Sequence, residues 1–84
     1  MANFWPDGIP VKVHCTVWDT PSRIYWQGQM HRVQEIVQQQ RVTADWWQAP
    51  VERDYFKLRV DSGWLLVIFY DFQDAQWFVQ RLYL

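Results

Sequence analysis

The segment RDYFKLRVDSGWLLVIFY, residues 53–70, constrains the fold more than any other part of the chain. In it Phe56, Leu58 and Val60 alternate with Arg53, Tyr55, Lys57 and Arg59, the period of two that sends successive side chains to opposite faces of a β-strand. Asp61-Ser62-Gly63 follows, a short connection in which glycine is free to turn left-handed. The apolar run WLLVIFY then supplies the second arm of a hairpin. WFVQRLYL, residues 77–84, reads as a third arm by its aromatic and β-branched content.

The same period appears upstream. Val11, Val13, Cys15 and Val17 alternate with Lys12, His14, Thr16 and Trp18, which predicts a strand with Cys15 and Val17 on its inner face. RIYWQGQMHRVQEIV holds two β-rich runs around Gln27-Gly28 and predicts a second hairpin. Its second arm is open to another reading, because Val33, Ile36, Val37 and Gln40 also fall at helical spacing, so a short helix within 29–41 is the alternative to a long strand. MANFWPDGIP carries two prolines and a Pro-Asp-Gly turn signal and is expected to be an N-terminal arm over 1–10, docking through Phe4 and Trp5. Residues 11–84 then form one small domain. The expected class is all-β, with or without that one short helix, an antiparallel meander that curls into a barrel or a strongly bent sheet.

A chain of 84 residues buries only about 60% of its unfolded surface, so large side chains matter. Aromatic residues make up 19% of this one, seven of them tryptophan, and each ring can withdraw roughly 150–250 Å² from water. The single cysteine excludes an internal disulfide and fits a reducing, cytoplasmic setting. No basic-then-apolar leader opens the chain, and WLLVIFY is far shorter than the ~20 residues a spanning helix needs. No membrane association is expected. Eight basic residues against nine acidic ones give a net charge of −1, so any attraction to nucleic acid must arise locally.

Catalytic machinery is scarce. The three glycines stand alone and build no phosphate loop. His14 and Cys15 are adjacent and would face opposite sides of a strand, so with His31 they are read as surface or half-buried residues and as no metal site. Cys15 is expected to be a small core residue, Ser22 and Ser62 turn residues, and Asp71 and Asp74 loop carboxylates. The chain is therefore read as a non-enzyme without cofactor. Two contact surfaces remain. Two adjacent indoles are hard to bury together because each N–H needs an acceptor, so one of Trp46 and Trp47, or Trp26 or Trp5, is expected on a protein-contact patch. The alternative is a basic-aromatic strand face, Arg53, Tyr55, Lys57 and Arg59, that binds single-stranded nucleic acid through phosphate contacts and stacking.

The stretch from Asp45 to Leu84 resembles the C-terminal tail domain of ImuB-type proteins, the Y-family polymerase relatives of bacterial mutagenesis cassettes. The resemblance rests on Trp46, Trp47, Arg53, Asp54, Tyr55, Phe56, Gly63, Trp77, Phe78, Leu82 and Tyr83. The upstream RIYWQGQMHRVQEIV is similar to small stand-alone bacterial proteins with the same pattern. The resemblance implies an accessory module for DNA repair or translesion synthesis that binds a DnaE-type polymerase or a RecA-like protein. The chain lacks the polymerase palm, fingers and little finger of that family, so the link is by analogy. An exposed strand edge or aromatic patch would also favour a homodimer.

Overall fold

The computed structural model describes residues 2–45 and 50–83. Within them there is no helix. Six strands follow one another as β1 (Ala2–Cys15), β2 (Pro21–Trp26), β3 (Gln29–Asp45), β4 (Pro50–Val60), β5 (Leu65–Asp71) and β6 (Gln76–Tyr83). Each pairs antiparallel with the next, and β6 returns to β1, so the meander closes into a barrel. Closure gives each strand two neighbours, but β2 covers only Lys12–Cys15 of β1 and Gln29–Arg32 of β3, so among the described residues the longer strands keep stretches paired on one side only.

Local chemistry sets the turns. Gln27 and Gly28 both have positive φ, 53° and 77°, as a two-residue hairpin loop requires. The Asp61-Ser62-Gly63 connection closes through a Gly63 N–H donating to the Val60 carbonyl at 2.9 Å, with Gly63 at φ 88°. The ambiguous segment is strand throughout, and its bulges explain the ambiguity. Val33 and Ile36 lie opposite Val60 and Leu58, three positions apart on β3 but two apart on β4, because an extra residue interrupts the register between Val33 and Glu35. A second interruption follows between Ile36 and Gln38. Two bulges thus imitate helical spacing in the sequence while bending the strand toward closure.

Residues 2–10, expected as an arm, run on as the first part of β1. They pair with β6 at Ala2–Phe4 and again from Ile9, and the Trp5-Pro6-Asp7-Gly8 stretch bulges out between. Gly8 has φ +80°, and a Cβ there would stand 2.7 Å from the Phe78 Cβ and 2.9 Å from the Phe69 ring. Only glycine fits this close approach. The Pro-Asp-Gly signal marks a bulge within a strand.

The barrel interior holds Val11, Ile24, Trp26, Phe56, Leu58, Val60, Leu66, Ile68, Val79 and Leu82. At the end carrying the β2–β3 and β4–β5 turns, aromatic residues close it. The Trp5 and Trp26 rings lie 5.5 Å apart, and the buried His31 lies 5.2 Å from Trp64. The other end, with the β1–β2 and β5–β6 turns, is different.

Candidate binding surfaces

β1 ends at Cys15, so the alternation predicted as far as Val17 stops early. Residues 16–20 form a loop held by a Thr16 N–H to Thr20 carbonyl bond of 2.8 Å and an Asp19 N–H to Thr16 carbonyl bond of 3.0 Å. Two expectations are corrected here. Cys15 is an exposed free thiol, because the register shifts after His14 and the strand finishes at the rim. Val17 is 91% exposed because it lies in the loop, and Trp18 beside it is 83% exposed. Partial burial, with the Asp19 carboxylate adding to it, pushes the Cys15 thiol above its usual range and so disfavours the nucleophilic thiolate.

A cleft of about 510 Å³ opens at this end. Trp18, Tyr70, Phe72, Phe56 and Trp77 supply its aromatic lining, with Arg41, Asp54 and Asp19 among its polar groups. Tyr70 meets Phe72 and Trp77 edge-on, each with centroids 5.1 Å apart. Arg41 engages Asp54 through two guanidinium nitrogens, reaches Glu52 at 3.4 Å and lies 4.7 Å above the Phe72 ring. The Asp54 carboxylate is occupied as an ion-pair acceptor, which leaves it poorly placed as a general base. Asp71 is likewise structural: Oδ1 accepts the backbone N–H groups of Gln73 at 2.9 Å and Asp74 at 3.2 Å, and Oδ2 accepts from Arg53. Among the described residues no group of three His, Cys, Asp or Glu side chains could hold a metal ion.

The tryptophans expected at a contact patch are placed as follows. Trp26 is 5% exposed and belongs to the core, so it is no surface anchor; its alternation with Tyr25 points it inward. Its indole Nε1 is buried without a hydrogen-bond partner. Trp5 is half-buried against the same cluster. Trp46 and Trp47 lie outside the described residues. Among the described residues the exposed tryptophan is Trp18, which was hidden in the sequence by its position in an apparently regular alternation.

Arg53, Tyr55, Lys57 and Arg59 share the outer face of β4, but they do not form one strip of free cations. Arg53 lies 4.6 Å over the Phe69 ring and donates to Asp71 at 3.1 Å and to the Tyr55 hydroxyl at 3.3 Å. Burial alone would lower the Arg53 pKa, but the Tyr55 and Asp71 contacts outweigh it and hold it raised. On this side of the sheet the buried Phe69 ring stacks on Phe78 and meets Tyr55 at a tilt, both at 5.1 Å. Arg59 pairs with Glu35 at 3.6 Å. Lys57 stands 5.9 Å from the Tyr83 ring. This face shares a shallow groove of about 250 Å³ in which Arg81 and Tyr83 join Tyr55 and Lys57.

These features define a small all-β barrel, closed by aromatics at one end and, among the described residues, carrying a cleft at the other. Among known proteins, the chain is 30% identical over 93 aligned residues to Protein ImuB of Caulobacter vibrioides, both in strain NA1000 / CB15N and in strain ATCC 19089 / CIP 103742 / CB 15. The alignment takes in 93% of this chain and 20% of ImuB, so the chain spans about a fifth of the length of these relatives. The similarity is distant, and it extends the resemblance seen from Trp46 to Tyr83 over nearly the whole chain. No protein-family model matches, and no solved structure matches. Among the described residues no helix is long and apolar enough to cross a membrane.

Proposed function

We propose that this chain is a non-catalytic, cytoplasmic binding domain that contacts a protein partner through the open end of its barrel, as an accessory in bacterial DNA repair or translesion synthesis. The observation that carries the reading is the exposure of Val17 and Trp18, 91% and 83%, beside a cleft walled by Tyr70, Phe72 and Trp77. Solvent-facing tryptophan next to an aromatic hollow is the composition of a protein-interface anchor. The similarity to ImuB and the tail-domain resemblance favour a repair polymerase or a RecA-like protein as the partner. The same contact by a second copy of the chain would give a homodimer.

A photo-crosslinking residue placed at position 18 in the producing cells, with position 57 on the β4 face as reference, tests this. A cross-link to a polymerase or RecA-like protein from position 18 but not from position 57 is expected. Equal labelling from both positions, or none from position 18, would overturn the reading.

A further inference from the structure

The near-neutral net charge conceals a segregated surface. Arg41, Arg53 and Arg59 each have a carboxylate within 4 Å, whereas among the described residues Lys12, Arg23 and Arg32 have none. The register brings those three together. Lys12 lies opposite Tyr25, which lies opposite Met30; one row along, His14 lies opposite Arg23, which lies opposite Arg32. All six side chains are exposed. Adjacent strands are about 4.8 Å apart, so three permanent cations and an imidazole occupy a patch two strand spacings wide. Like charges directly opposite each other destabilise a sheet, and Arg23 faces Arg32 with no carboxylate to offset the repulsion.

We propose that the outer face of β1, β2 and β3 is a binding site for single-stranded nucleic acid, with Lys12, Arg23 and Arg32 on successive phosphates and Tyr25 as a stacking platform. Tyr25 is 39% exposed as a residue, with the Lys12 Nζ 5.8 Å from its ring centroid and the His14 ring edge-on at 5.3 Å. A ring flanked by cations without carboxylates suits an unpaired base and its backbone. Lys57 and Arg81 also lack carboxylate partners, but they are two cations rather than three, with Val67 between them in the register. The strongly exposed apolar pair, Val17 and Trp18, lies in the loop beyond this face, and of the six exposed side chains on the face Met30 alone is aliphatic, so the contact area is mainly polar and cationic, which fits a nucleic-acid backbone better than a bilayer.

The test is a fluorescence-anisotropy titration of a labelled oligothymidylate at low salt and at fourfold higher salt. Three phosphate contacts predict that the intact protein loses about twenty-fold in affinity across that range, and Arg23→Gln/Arg32→Gln, left with one, only about threefold. The double variant should keep or raise the unfolding temperature, because it relieves the repulsion. Lys12→Gln alone, which leaves the arginine pair untouched, should give an intermediate salt response. Trp18→Ala should bind the oligonucleotide like the intact chain, which separates this proposal from the protein contact at the open end. Absence of binding, equal weakening by Lys57→Gln/Arg81→Gln, or tighter binding to duplex DNA or to anionic phosphatidylserine vesicles would overturn the proposal.

Discussion

The two ends of the barrel use the same residue types for opposite purposes. At the β2–β3 and β4–β5 end, Trp5, Trp26, His31 and Trp64 fill the opening and continue the core. At the β1–β2 and β5–β6 end, Trp77 and Phe56 form the floor of a cleft, Phe72 walls it against Tyr70 and Arg41, and Trp18 stands out in solvent. The difference comes from backbone length. β2 and β3 are joined by two residues, which leave Trp26 on the strand and facing inward, whereas the loop after Cys15 lifts Trp18 off the sheet. An indole contributes to stability or to recognition according to the turn beside it.

The comparison breaks most visibly if the sealed end proves dispensable. Trp26→Ala should cost about 3–5 kcal/mol, the usual range for truncating a large core aromatic, and urea denaturation reads it directly. A loss below ~1 kcal/mol would mean that the buried indole, with its unpaired N–H, contributes little. At the open end, Asp71→Ala removes the acceptor for two backbone N–H groups and for Arg53. A destabilisation of about 1–3 kcal/mol is expected, seen as a lower thermal midpoint, and no change would show that the β5–β6 turn holds without it. Trp18→Ala should shift stability by no more than about 0.5 kcal/mol, as for a largely exposed side chain, since its backbone bond to Thr16 survives the substitution. A larger shift in the same thermal scan would place Trp18 in the packing.

Much of the fold was legible because the alternation on β4 and the Gln-Gly and Asp-Ser-Gly turns are local signals that the tertiary structure had no reason to override. The β3 segment was ambiguous for a definite physical reason: bulges insert residues that shift Val33 and Ile36 to helical spacing. The Pro-Asp-Gly of the first ten residues marks a real interruption of pairing, but sequence does not reveal that the chain resumes the same strand after packing Gly8 against Phe78. The candidate sites were less legible. Arg53 and Arg59 look free in sequence because Asp71 and Glu35 reach them only through strand pairing. Lys12, Arg23 and Arg32 are scattered along the chain until β1, β2 and β3 align. Trp18 continues a pattern that the backbone has already left.

The central claim, indoles sealing one end and displayed at the other, is tested most directly by NMR hydrogen exchange of the tryptophan side-chain N–H groups. The account predicts that the Trp18 indole proton exchanges with water at close to the rate of an unstructured peptide while that of Trp26 stays protected in the folded state. Comparable protection at both positions would contradict it.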